Sequence, residues 1–421
     1  MQTDAIIHVH AFGKEIGKLG YDPDQRKSFF QCHPDWLNNP AYSRMFPYIF
    51  RRTSPVQVFS QFEGETFRGL PPMIADSLPD TFGNILFREW FETRNESLRK
   101  ITPLELLTYV SNRGMGALEY QPGKIFHSSD RIDLEEIMEV LQTVLKLKNT
   151  TTGDSLNEVA LLNVFKIGTS AGGARPKILI SEHRENGTII PGDITSSEAY
   201  NHYLVKLCLD ENAGYNKEKV EYAYYRIAQR SGIHMMSSKL IADKHFATLR
   251  YDRQHGEKQH VLTVSGLTGW DFKKPENSSY ENLFRLAIDL DVPHKDIQEL
   301  YRRMVFNLVF ANTDDHLKNH SFMYLPESDS WQLAPAYDLT YPLNALQNYL
   351  RVSRALSINN KRANIIVEDI LDLAESFSVK NPAGIIHEIQ ESTSLWVSEA
   401  NGLEIPKPVI DAIQQSFTYF L

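Results

Sequence analysis

Asn312-Thr313-Asp314-Asp315-His316-Leu317-Lys318-Asn319, followed a little later by Ala336-Tyr337-Asp338, is the stretch on which the reading of this chain turns. Asp314 and Asn319 have the spacing of a kinase catalytic loop, in which an Asp orients the accepting hydroxyl and an Asn helps to hold Mg²⁺. Asp338 adds a second carboxylate to the oxygen donors that a hard divalent cation takes. Asp and Asn are also ordinary turn residues, because their side chains bond to nearby backbone, so the octapeptide by itself reads first as a turn. Its surroundings shift that balance. Upstream, Ile297, Leu300, Tyr301, Met304, Val305, Leu308 and Val309 recur at steps of three and four, with Glu299, Arg302 and Arg303 on the other face. The pattern predicts an amphipathic helix that delivers the loop from a buried scaffold. Downstream, Ser321–Leu325 and Trp331–Ala334 predict two short strands around a turn, a hairpin that would fold Asp338 back beside Asn319.

A kinase also needs a phosphate cradle and a lysine. Between the apolar runs Leu161–Ile167 and Ile178–Ile180 lies Gly168-Thr-Ser-Ala-Gly-Gly-Ala-Arg-Pro-Lys177. Its glycines would let backbone N–H groups approach an anion, and Arg175 and Lys177 add positive charge. An ordinary glycine-rich hairpin loop is the competing reading, and the segment is not a P-loop, since Ile178 follows Lys177. Further on, alternation predicts a strand with Lys206 on the face opposite Tyr203 and Val205. A helix capped by Asn216 then carries Glu221 in its early turns. Lys206 and Glu221 can make the ion pair that positions a lysine against nucleotide phosphates, or can each be a solvated surface charge. Glycine loop, strand lysine, helix glutamate, catalytic loop and metal aspartate follow in the order of a protein-kinase-like fold.

Six segments resemble the HipA toxin kinases of bacterial toxin-antitoxin systems: Leu78-Pro-Asp-Thr-Phe-Gly83, Arg113-Gly-Met-Gly-Ala-Leu118, Ser170–Lys177, Asn312–Asn319, Leu333–Thr340 and Ser357-Ile-Asn-Asn-Lys361. The resemblance implies an α+β, protein-kinase-like bilobal fold with an N-terminal α/β subdomain and a mainly helical C-terminal lobe. The expected divisions are an N-terminal HipA-type subdomain at 1–122, an ATP-binding lobe at 123–252 and a catalytic lobe at 253–421. It implies Asp314 as catalytic base and Asn319 and Asp338 as Mg²⁺ ligands. The implied ATP-binding set is Lys206, Lys177, Gly172, Gly173, Ala174, Arg175, Leu249, Tyr251, His316 and Lys318. Ser170 falls where family members phosphorylate themselves, with Thr169 as the neighbouring acceptor; a phosphate there would add nearly two negative charges beside the ATP site. The implied partners are a HipB-like helix-turn-helix antitoxin and a protein substrate, for which the family precedent is an aminoacyl-tRNA synthetase. Two positions depart from the pattern. Leu249 stands where the family often has Glu, and Asn360 where it commonly has Gly.

Elsewhere the pattern predicts a hairpin of Ala5–Ala11 and Ile16–Tyr21 around Gly13-Lys14, helices over about 81–93, over 103–112 behind a Thr102–Glu105 capping box, and over 134–145, 366–377 and 385–396, and a polar joint at 149–154. Composition agrees with such a reading. The chain has 421 residues, enough for two or three domains and a sizeable core, and 42% are hydrophobic, as in an ordinary globular protein. Cys32 and Cys208 are its only cysteines, too few and too far apart for a disulfide framework or zinc site, and a reducing cytoplasm is expected. The N-terminus does not read as a secretory signal, and no apolar run is long enough to span a membrane. A net charge of −9 argues against coating nucleic acid, so DNA is expected only through the antitoxin. Two other readings stay open: a catalytically silent kinase fold acting as co-repressor or scaffold with a DNA-binding antitoxin, and a small-molecule kinase.

Overall fold

The computed structural model describes residues 6–47, 54–79, 83–84, 101–123, 137–139, 141, 176–192, 197–209, 214–342 and 353–420. It is a mixed α/β protein whose chain divides into two compact units, Met1–Leu209 with Ala247–Val261, and Asp210–Phe246 with Leu262–Leu421.

The first unit opens with the expected hairpin. Ile7–Ala11 and Lys14–Asp22 pair antiparallel, and Phe12 and Gly13 at the turn both have positive φ, the geometry that matches the twist of a tight hairpin. Ile7, Val9 and Ala11 are buried, while His8 and His10, alternating with them, are half-buried. No carboxylate lies next to His8 in sequence, but the hairpin brings one across: His8 Nδ1 is 2.9 Å from Glu15 Oε1. The completed sheet has the order Val56–Phe59, Lys27–Cys32, Lys14–Asp22, Ile7–Ala11, Glu119–Gln121. The helix Pro103–Val110 begins at the predicted capping box: Glu105 N donates to Thr102 Oγ1 at 3.2 Å, and Thr102 N to Glu105 Oε2 at 2.8 Å. A second sheet, five-stranded, includes in order Ile189–Pro191, Lys177–His183, Tyr200–Lys206 and His245–Leu249.

In the second unit Asn216 caps the helix Lys217–Arg230 by accepting from Lys219 N at 3.0 Å. This helix packs its Tyr224 ring against Phe306, Phe310 and Trp396, and the Tyr224 hydroxyl donates to Phe310 O at 2.9 Å. On its outer side Arg226 and Arg230 both bind the buried carboxylate of Glu399. The helix His294–Val309 is the one predicted ahead of the acidic loop, and its apolar stripe is buried. The hairpin is there too, as Ser321–Leu325 paired with Ser330–Leu333.

Two expectations are corrected. Arg303 is not on a polar outer face: it is 4% exposed, donating to Glu299 Oε1 at 2.9 Å and Ala334 O at 2.8 Å. The segment read as one helix over 385–396 is two, Pro382–Ser392 and Leu395–Gly402. Thr393 and Ser394 turn their hydroxyls back onto Gln390 O and Glu391 O, tightening the chain and breaking the helix between them. The expected helix over 81–93, most of that over 134–145 and the joint at 149–154 lie outside the described residues.

Two histidines are buried as neutral rings. Burial lowers His260, which lies edge-on to Phe12 and Phe46, to about 3, and lowers His320 to about 4. Each takes up a proton in the unfolded chain near pH 6.5 but not in the folded one. Stability is therefore full above that pH and falls as the pH drops toward 4, by up to about 1.4 kcal/mol per pH unit per histidine. Urea midpoints measured from pH 7.5 to 4.5 should show this decline, with a shallower slope in His320→Gln.

Candidate active site

The acidic loop is set by a buried network that starts where the helix His294–Val309 stops. Phe310 closes the helix and Ala311 turns left-handed, at φ 54°. Asn312, 2% exposed, then pins the chain in two directions: its amide donates to Asn307 Oδ1 at 2.9 Å and to Asp338 O at 3.3 Å. Asp315 points inward rather than to solvent. Its carboxylate accepts from Arg354 Nη1 at 2.7 Å and from the Tyr280 hydroxyl at 2.5 Å. Arg354 spends its other donors on Asn312 O, at 3.0 Å, and Asn307 O, at 3.1 Å. Burial, together with the Asp315 charge, pushes the Tyr280 hydroxyl well above its ordinary pKa, so it stays a donor.

With Asp315 turned in, Asp314 is left exposed. The loop is closed by Asn319, whose amide donates to Asp314 O at 2.7 Å, and by His316 N donating to the same carbonyl at 2.9 Å. The side-chain oxygen of Asn319 is not part of that bond. Phe272 packs against His316 with ring centres 4.9 Å apart and lies under the Lys318 ammonium at 5.6 Å. Tyr337 ties the second acidic turn to the first, donating to Lys318 O at 2.8 Å. Asp338 follows with φ 54°, a left-handed conformation that Asp tolerates better than most side chains. The strand end before it is held by Arg303 at Ala334 O, and by Ala336 N donating to His234 O at 2.8 Å. Asp314, His316, Lys318, Asn319 and Asp338 therefore belong to one tethered pair of turns in the second unit.

Lys177 and Lys206 come together in the first unit. They are direct cross-strand partners, 6% and 5% exposed, so both side chains leave the same face of the sheet. Leu207 N donates to Pro176 O at 3.0 Å at the adjoining pair, which makes the lysine pair a non-hydrogen-bonded one, where strands lie closest. The same face carries Ser181 and His202, joined at 2.8 Å. The pair sets two lysine side chains next to each other on one buried sheet face. Leu249 ends the strand His245–Leu249 and Tyr251 is buried just beyond it. Glu221 is buried on the helix Lys217–Arg230 of the second unit. Ser170, Gly172, Gly173, Ala174 and Arg175 lie outside the described residues.

The sequence reading assigns no role to Asp315, Arg354, Tyr280 or Asn307, and places Arg303 on the wrong face of its helix. The one signal for them was the doubled Asp314-Asp315, of which only one carboxylate can face a substrate. The Ser357–Lys361 motif is also explained: Ile358 and Lys361 bridge across Asn359 and Asn360, both with positive φ, and Lys361 Nζ binds Asp369 at 2.8 Å. Asn in place of Gly at 360 is a substitution that such a turn accepts.

Fold and side chains define an α/β protein with a tethered acidic, amide-bearing loop in one unit and a paired-lysine sheet face in the other. Residues 7–121 match the HipA N-terminal domain and residues 169–396 the HipA-like C-terminal domain. The chain belongs to the HipA family. Its fold is similar to a chain in the structure of the Shewanella oneidensis MR-1 toxin-antitoxin system HipA, HipB and its operator DNA complex, with a TM-score of 0.64 and 14% identity over 97% of this chain and 94% of that one. It is 23% identical over 252 residues to a Sinorhizobium fredii protein named "Putative kinase Y4dM", covering 55% of this chain and 60% of that protein. A Haemophilus influenzae protein described as a kinase in the same words is 25% identical over 235 residues, 47% of this chain and 67% of that one. The chain thus spans about three fifths to two thirds of these relatives' lengths.

Removing Arg354 strands a buried carboxylate. Arg354→Met should cost about 3–5 kcal/mol, while Tyr280→Phe, which removes one donor, should cost about 1–3 kcal/mol. Denaturant unfolding of the two variants tests the ranking.

Proposed function

We propose that this chain is an ATP- and Mg²⁺-dependent serine/threonine protein kinase of the HipA toxin type, with a kinase-like bilobal fold. The observation that carries the reading is the tethering of the two acidic turns, through Asn312 to Asp338 O and through Tyr337 to Lys318 O. It keeps Asp314, Asn319 and Asp338 in one neighbourhood although the two turns are far apart in sequence.

In this reading the Asp314 carboxylate accepts the proton of the acceptor hydroxyl as its oxygen attacks the γ-phosphorus, and the bond to the β–γ bridging oxygen breaks, releasing ADP. Lys177 and Lys206 hold phosphate oxygens by charge, with Gly172, Gly173, Ala174 and Arg175 as the backbone cradle and Leu249 and Tyr251 beside the base. His316 shapes the loop, Lys318 adds positive charge to it, and Glu221 is the acidic residue of the accompanying helix. Asn319 and Asp338 would hold Mg²⁺, which neutralises charge on the transferring phosphoryl group. The donor set fits. Among the described residues no three His, Cys, Asp or Glu side chains form a metal cluster, and Mg²⁺ characteristically takes one or two protein oxygens and completes its shell with phosphate and water.

Ser170 is the proposed autophosphorylation site, and a HipB-like antitoxin the proposed partner through which DNA is reached. The similarity of fold to a chain crystallised in a HipA, HipB and operator complex supports the second point, as does the net charge of −9. The protein substrate would carry an acceptor serine or threonine.

Purified chain incubated with γ-labelled ATP and Mg²⁺ should acquire label at Ser170. Asp314→Ala should slow labelling by about 10²–10⁴-fold. Equal labelling in that variant would reject Asp314 as base. No label in the wild type, with a stable antitoxin complex still formed, would favour the silent co-repressor instead.

A further inference from the structure

The carboxylate of Asp252 has no solvent exposure, and two arginines and a backbone amide surround it. Arg250 donates to it from Nε at 3.0 Å and Nη2 at 2.8 Å, Arg253 from Nη1 at 2.7 Å, and Gly116 N at 2.8 Å. Burial alone would raise its pKa, but the two guanidiniums outweigh burial and hold it well below the usual carboxylate range. The arginines then reach on to the turn that supplied the amide. Arg253 Nη2 donates to Gly114 O at 2.8 Å, Arg250 Nη2 to the same carbonyl at 3.3 Å, and Arg253 Nη1 to Gly116 O at 3.3 Å. Gly116 has φ 77°, and a side chain on it would meet Val261 O at 2.9 Å, so only glycine brings the backbone this close.

The other side of this cluster is the strand end that carries Leu249 and Tyr251. Arg250 N donates to His202 O at 2.9 Å, on the strand that ends at Lys206, and Gln259 N donates to Asp252 O at 3.0 Å. The strand end is thus fastened to the lysine strand on one side and to the Gly114–Gly116 turn on the other. A buried ion cluster is a weak source of stability compared with apolar packing, but its bond directions fix one arrangement of the groups it joins.

We propose that the Gly114–Gly116 turn of the HipA N-terminal domain is a positioning element of the nucleotide site. Acting through Asp252, Arg250 and Arg253, it sets the backbone of Leu249–Tyr251 against which the base of ATP binds. The inference rests on the kinase reading and deepens it: a domain that contributes none of the proposed catalytic side chains determines nucleotide affinity.

The test uses the full chain with the fluorescent nucleotide mant-ADP, and autophosphorylation at saturating ATP as the rate readout. Gly116→Ala and Arg253→Lys should weaken mant-ADP binding by about fivefold or more while changing the saturated rate by less than about twofold. Lys258→Ala breaks the 2.7 Å pair with Glu119 and the bond of the same ammonium to Asn112 O, which join the same two segments without involving Asp252; it should leave the affinity unchanged. Wild-type affinity in the folded Gly116→Ala and Arg253→Lys chains, an equal loss in Lys258→Ala, or failure of both cluster variants to fold by circular dichroism would each overturn the proposal. A wild-type chain that binds no mant-ADP would instead overturn the kinase reading, and this inference with it.

Discussion

The Asp315–Arg354 ion pair is the constraint on which the acidic loop depends. An aspartate removed from water is costly unless its charge and lone pairs are matched, and here Arg354 and Tyr280 match them from two distant parts of the chain. Because Arg354 also binds the carbonyls of Asn307 and Asn312, the pair fixes the backbone on both sides of the helix end. Asp314 is consequently turned outward as its neighbour is held in. Two adjacent residues of one type have opposite environments, Asp314 exposed and Asp315 buried.

The two units use the same device for different ends. In the second, a buried Asp–Arg pair shapes a loop whose neighbouring carboxylate, Asp314, is exposed. In the first, Asp252 with two arginines ties a glycine turn to a strand end. In both cases the arginine fork is valuable for its geometry, since it satisfies a carboxylate and distant backbone carbonyls at once. The lysines serve otherwise. Lys177 and Lys206 stand as cross-strand neighbours on one buried sheet face.

What was legible in the sequence was local. The capping box at Thr102 and Glu105, the cap at Asn216, the helix before the loop and the hairpin after it depend on neighbouring residues and on periodicity, and each stands within a residue or a few of its expected place. What was not legible depends on distant partners. Arg354 is 39 residues from Asp315, and nothing in its own surroundings announces the pairing. Arg303 looked like an outer-face charge because helical periodicity cannot see that Glu299 and Ala334 O receive it indoors. The break at Thr393 leaves the apolar spacing almost intact, since Trp396 is still buried, so a pattern of hydrophobic residues spans it without interruption. The Arg113–Leu118 motif could be matched to a family but not explained until Asp252 supplied the carboxylate that its glycine amide meets.

Asn319 and Asp338 are proposed to hold a divalent cation together with nucleotide phosphates. Electron paramagnetic resonance of Mn²⁺, substituted for Mg²⁺ in the presence of a non-hydrolysable ATP analogue, reads that claim without requiring turnover. The wild-type chain with nucleotide should suppress the Mn²⁺ signal beyond what the same nucleotide does alone, and Asp338→Ala and Asn319→Ala should each remove most of that protein-dependent loss. Suppression that is unchanged in both variants would contradict the account.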